Sequence, residues 1–186
     1  MDTVGIVLAG GLSSRFGSPK AFAQKDGRFY YEIAHQALRS VSTQVVVVGR
    51  PEHRERFDSK MDVMMDSEEF MGCGPLAGIY SAMMAYPAER YVILPCDMPY
   101  MTPEVMESLV ECDTGDNDVV AVEFEGVQHP LVAVFHPRMR DIIRRSLEQG
   151  QYSVMKLLAQ VHVRWIQGSD VTANAPDVFR NLNTPE

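Results

Sequence analysis

Residues 4–20 read Val4-Gly5-Ile6-Val7-Leu8-Ala9-Gly10-Gly11-Leu12-Ser13-Ser14-Arg15-Phe16-Gly17-Ser18-Pro19-Lys20. The apolar run Val4 to Leu8 suits a buried strand, and it breaks abruptly into glycines, hydroxyls, an arginine and a lysine. Backbone N–H groups can converge on anionic oxygens where no Cβ intervenes, which Gly10 and Gly11 permit. Arg15 and Lys20 add fixed positive charge to the same loop. A strand followed by a phosphate cradle is the expectation. The loop is neither of the two commonest kinds: Ser18 and Pro19 separate Gly17 from Lys20 where a Walker loop needs Gly-Lys-Ser/Thr, and no Gly-x-Gly-x-x-Gly occurs here.

Outward from this stretch, apolar β-rich runs recur at Val45 to Val48, Val63 to Met65, Tyr91 to Leu94, Val119 to Val122 and Leu131 to Phe135. Several are apolar throughout, as strands covered on both faces are. Helical stripes lie between and after them: Tyr30, Ile33, Ala34, Ala37, Leu38 and Val41; then Leu76, Ile79, Tyr80 and Met83; then Met139, Ile142, Ile143 and Leu147. Met83 and Met84 read as core filler. The alternation predicts an α/β fold, a doubly wound, mostly parallel sheet with helices on both faces and right-handed crossovers. A hairpin at Glu125-Gly126 adds an antiparallel strand. Ligands then belong at the carboxyl ends of the parallel strands.

The chain of 186 residues, 46% hydrophobic, suffices for one domain spanning 1–186. Its net charge of −8 disfavours general nucleic-acid binding, so any phosphate site is local. The N-terminus lacks a basic segment leading into an apolar core, and no apolar stretch approaches membrane-spanning length. A cytoplasmic protein without membrane contact is expected. Cys73, Cys96 and Cys112 lack metal-ligand spacing and suit a reducing compartment, with Cys73 and Cys96 read as small buried packing residues. The five histidines include no i, i+4 pair, so a zinc site is unsupported.

Two further clusters carry chemistry. Leu94-Pro95-Cys96-Asp97-Met98-Pro99 places a carboxylate just past a strand, between two stiffening prolines. Beside a phosphate loop such a hard oxygen ligand suits Mg²⁺ shared with a nucleotide, although a turn-capping aspartate has the same look. In Gly72-Cys73-Gly74-Pro75-Leu76-Ala77-Gly78, Gly74 and Pro75 suit the cap and first position of a helix whose N–H groups can meet a ligand. Gly78 inside that helix suits close approach by a base, a sugar or another backbone, and equally plain helix packing.

The string LAGGLSSRFGSPK resembles the signature loop of nucleotidyltransferases that attach a nucleoside monophosphate to a phosphorylated acceptor. GPLAGI (74–79), LPCDMPYM (94–101), HPL (129–131) and NLNTPE (181–186) together resemble one branch, the molybdenum cofactor guanylyltransferases. The motifs span essentially the whole chain. The resemblance implies GTP and Mg²⁺, with molybdenum-bound molybdopterin as acceptor and transient contacts with cofactor-delivery or acceptor proteins. It implies nucleotide contacts at Leu8, Ala9, Gly10, Lys20 and Asp66, with Asp97 on the metal. The loop and helix readings add Gly11, Gly74, Pro75, Leu76 and Gly78 as GTP contacts beside Asp97, and neutralising the charge between two anions makes Arg15, Lys20 and Asp97 the catalytic set. Asn181 and Asn183 match the pterin side of the cleft. His129 either positions the acceptor or is a structural residue before Pro130. Val48 falls where related sequences can carry a nucleotide-contacting asparagine, which puts base identity less firmly than reaction type. A cytidylyltransferase on the same pterin, a sugar-phosphate or isoprenoid-precursor nucleotidyltransferase and a non-catalytic nucleotide-binding module are the competing readings.

Overall fold

The computed structural model describes residues 1–11 and 19–180. Its elements run β1 (Thr3–Leu8), β2 (Gln24–Lys25), β3 (Arg28–Phe29), α1 (Tyr30–Arg39), β4 (Gln44–Val48), β5 (Asp62–Met64), α2 (Pro75–Ala85), β6 (Arg90–Pro95), α3 (Pro103–Glu111), β7 (Val119–Phe124), β8 (Val127–Phe135), α4 (Met139–Glu148), α5 (Val154–Leu158), β9 (Val163–Gln167), α6 (Gly168–Val171) and α7 (Ala175–Val178). Among the described residues seven strands form one sheet, ordered β5-β4-β1-β6-β8-β7-β9, and β2 pairs with β3 apart from it. All neighbours in the large sheet are parallel except β8, which runs antiparallel to both β6 and β7.

Strand periodicity divides the core in two. Val7, Val45, Val47, Val92 and Leu94 point to one face, where α1, α3, α6 and α7 pack; Val4, Ile6, Val46, Val48 and Ile93 point to the other, covered by α2, α4 and α5. This is why these strands read as unbroken apolar runs. Helix α2 is hemmed in so closely that every residue from Leu76 to Met83 is buried, whereas Met84 is exposed and fills no core. No helix among the described residues is long and apolar enough to cross a membrane.

The expected antiparallel strand is β8, entered through a turn at Glu125 (φ 50°) and Gly126 (φ 76°). Against β7 its register jumps between Ala121, opposite Ala133, and Val122, opposite His129, so Pro130 falls where a missing N–H costs no ladder bond. Helix α1 stops at Arg39, leaving Val41 to pack from the following turn. Unanticipated were the β2–β3 pair around Asp26-Gly27, helix α3 with Thr102 accepting from the Val105 N–H, the edge strand β9 and the short helices α5, α6 and α7.

Gly5 sets how near α1 lies to the sheet, because a Cβ there would come within 2.7 Å of Ser42 Oγ and 3.1 Å of Leu38 Cβ. Ser42 can rotate away, but Leu38 is a fully buried helix residue and cannot. Gly5→Ala should therefore cost about 1–3 kcal/mol of stability, as overpacking does, read from the denaturant midpoint. An unchanged midpoint would show that α1 has room to withdraw.

Candidate active site

Leu8 stands opposite Val48 of β4 and opposite Pro95 of β6, and Val48 stands opposite Met64 of β5. Four parallel strands thus end level. The ladder continues one step beyond them: Ala9 N–H donates to Val48 O (2.8 Å), Gly49 N–H to Met64 O (2.9 Å) and Cys96 N–H to Leu8 O (3.1 Å). Four loops leave the sheet at one height, carrying Gly10, Arg50, Asp66 and Asp97. The strand order reverses between β1 and β6, so the cleft lies at the topological switch point.

The cleft has a volume of about 630 Å³, within the range of small-molecule sites. Of the residues expected from sequence, Leu8, Gly10, Gly11, Lys20, Asp66, Gly74, Pro75, Gly78 and Asp97 line it. Ala9 and Leu76 do not: Ala9 is buried with its N–H spent on Val48, and Leu76 is a fully buried core residue of α2. His129 is also buried outside the lining, its ring 5.5 Å from that of Phe179. Burial holds its imidazole below the ordinary range, opposed by the Asp97 charge, and its Nε2 has no hydrogen-bond partner among the described residues. Arg15, Asn181 and Asn183 lie outside the described residues.

Lys20 Nζ sits 3.6 Å from Asp97 Oδ2, joining the loop after β1 to the turn after β6. The side chains are 23% and 36% exposed, so solvent screens the pair and opening it for a ligand costs no more than about 1 kcal/mol. Beside Asp97, burial and the aspartate charge push the thiol of Cys96, a buried residue at the cleft wall, up to about 12. Cys73 differs from expectation, being only half-buried in the loop before α2.

Asp66 is fixed from behind. Ser81 of α2 donates to Ala77 O (2.7 Å) and accepts the Ser67 N–H (2.8 Å), tying the loop after β5 to the helix. A Cβ at Gly78 would lie 3.0 Å from Val48 Cγ1 and 3.4 Å from both Asp66 Oδ1 and Leu8 Cδ2, so this glycine lets α2 settle against the cleft floor. Burial raises the Asp66 carboxyl above its usual range, while the Gly72 N–H and the charge of Arg50 pull it back.

Sequence reading missed Gly49, Arg50, Pro51, Glu52, Met71 and Leu131, all of which line the cleft. Gly49-Arg50-Pro51 directly after a buried parallel strand was the available signal. Among the described residues no group of three or more His, Cys, Asp or Glu could hold a metal by itself. Asp97 alone, a partly exposed carboxylate on a stiffened turn, suits a hard cation completed by phosphate oxygens and water.

Residues 5–164 match the family described as the MobA-like NTP transferase domain. The chain is 40% identical over 183 residues to a probable molybdenum cofactor guanylyltransferase of Geobacillus sp. (strain WCH70), covering 97% of this chain and 93% of that protein. A protein of the same name from Bacillus velezensis is 38% identical over 188 residues, covering 100% and 92%. Among solved structures, the molybdopterin-guanine dinucleotide biosynthesis protein A of Archaeoglobus fulgidus superposes with a TM-score of 0.80 at 25% identity, covering 98% of this chain and 93% of that one.

Buried His129 also predicts a pH dependence. Its folded-state value lies below the ordinary 6.5, as do those of His35 and His136, so near pH 6.5 the unfolded chain binds protons that the native state refuses. Stability is full above pH 6.5 and falls as pH drops below it. Denaturant unfolding between about pH 7.5 and 5.5 should show this decline, and His129→Gln should flatten part of it. An identical slope in the variant would remove His129 from the linkage.

Proposed function

The chain belongs to the MobA-like NTP transferase family, and we propose that it transfers GMP from GTP to the terminal phosphate of molybdenum-bound molybdopterin, releasing pyrophosphate. The observation that carries this reading is the convergence of Leu8, Gly10, Gly11, Lys20, Asp66 and Asp97 on one cleft at the level ends of β5, β4, β1 and β6. The acceptor and base follow from the names of relatives that match over nearly the whole chain.

An acceptor phosphate oxygen attacks the α-phosphorus of GTP, a new P–O bond forms, and the bond to the bridging oxygen of pyrophosphate breaks. The acceptor is already ionised near neutral pH, so no protein nucleophile or general base is required. What the protein must supply is alignment and positive charge between two anions. Gly10 and Gly11 leave backbone room for the phosphates, and Lys20 exchanges its contact with Asp97 for phosphate oxygens. Arg15, from the same loop, is assigned to the departing pyrophosphate. Asp97 is then released to hold a divalent cation, Mg²⁺ in this proposal. That ion would supply charge neutralisation at the α-phosphate. The N-terminal end of α2, opened by Gly74 and Pro75, faces the same cleft and adds favourable dipole charge.

Asp97→Asn keeps the size of the side chain but loses its charge. Turnover with GTP, molybdopterin and Mg²⁺ should fall on the order of a hundredfold or more, with the melting temperature unchanged. Pyrophosphate release by the wild type should require GTP and molybdopterin together and should vanish with chelator. Wild-type rates in Asp97→Asn at saturating Mg²⁺ would overturn the metal assignment, and turnover with CTP in place of GTP would overturn the guanylyl reading.

A further inference from the structure

Among the described residues, Arg50 is the cationic side chain of the cleft that the transfer chemistry above leaves unused. It follows β4, and its stem passes close over the phosphate loop, Cγ lying 3.8 Å from where a Gly10 Cβ would be. Its Nε donates to Glu52 Oε1 at 2.5 Å, and its charge acts on Asp66. Arg50, Glu52 and Asp66 all line the cleft.

The cleft is divided by charge. On the β6 side of β1 stands the pair of Lys20 and Asp97, where the phosphates are assigned. On the opposite side, after β4 and β5, Arg50 pairs with Glu52, and Asp66 lines the same cleft within the influence of the Arg50 charge. That neighbourhood is net negative and repels a triphosphate. A neutral, planar group with both donors and acceptors suits it. The Glu52 bond occupies Nε and thereby orients the guanidinium, while its terminal NH₂ groups have no partner given by the described residues.

We propose that Arg50 and Asp66 together read the guanine base: the terminal nitrogens of Arg50 donate to O6 and N7, and Asp66 accepts from N1–H and the N2 amino group. This rests on the assignment of GTP as substrate. Guanine has acceptors at O6 and N7 beside donors at N1 and N2, so adjacent positive and negative side chains match it. Adenine inverts the match, turning its 6-amino group toward the guanidinium and its N1 lone pair toward the carboxylate, and pyrimidines have no N7. Val48, which cannot hydrogen-bond, then forms part of the apolar floor under the base, and base recognition passes to Arg50 two residues further on.

Equilibrium binding of GTP, ATP, CTP and 7-deaza-GTP to the wild type, Arg50→Met and Arg50→Lys tests this, with thermal unfolding as the check on folding. The wild type should prefer GTP to ATP and bind 7-deaza-GTP several-fold more weakly than GTP. Both variants should lose GTP affinity on the order of tenfold or more, change little toward ATP, and no longer distinguish 7-deaza-GTP from GTP. Equal weakening of all nucleotides in Arg50→Met with recovery in Arg50→Lys would assign Arg50 to phosphate and overturn the inference. Equal wild-type affinity for GTP and 7-deaza-GTP would overturn it even if neither variant folds. A wild type without preference for GTP would instead overturn the substrate assignment beneath it.

Discussion

The register of β1 against its two neighbours is the constraint on which the site depends. With Leu8 opposite both Val48 and Pro95, the strands end at one level and their loops leave side by side. A parallel strand buried on both faces has little freedom to slip, because a shift of one residue would exchange the side chains of its two faces. Val7 and Val47 would enter the α2 side and Ile6 and Val46 the α1 side, against helices shaped for the reverse. Core packing thus aligns residues that make few contacts with one another, and Lys20 meets Asp97 although the β1 loop and the β6 turn are far apart in sequence.

Charge is arranged against the average of the molecule. A chain of net charge −8 repels nucleotides at long range, so affinity must be generated within the cleft. The ion pairs Lys20–Asp97 and Arg50–Glu52 lie on its wall and keep cations there without leaving them unpaired when no ligand is present. The Lys20–Asp97 pair is partly exposed and weakly held, which permits exchange for a substrate group at low cost, whereas the Arg50–Glu52 bond leaves the terminal nitrogens of Arg50 to face the cleft. Rigidity comes instead from neutral groups: the prolines around Asp97, and Ser81 holding the loop of Asp66 against α2.

The strands legible in the sequence were those whose environment is uniform. Val45 to Val48 and Tyr91 to Leu94 are apolar because helices cover both faces, and they appear within a residue or two of their expected limits. Edge strand β9 has a half-exposed pattern, with Arg164 and Gln167 outward, and lacks that uniformity. Helix α3 was signalled only by the start pattern Thr102-Pro103-Glu104, without a long apolar stripe behind it. Met84 shows the opposite error: two adjacent methionines on a helix cannot share one face, and only Met83 points inward.

By itself, the sequence determined the alternating architecture, the strand carrying Val4 to Leu8, and Asp66 and Asp97 as carboxylates just past strand ends. These are local properties, set by apolar runs, glycines and prolines in order along the chain. Only the tertiary structure decided which strand ends are neighbours, that Arg50 and Glu52 share the cleft, and that Ala9, Leu76 and His129 turn into the core. The physical reason is that exposure and proximity depend on pairing order and register, which arise when two helical layers close over one sheet.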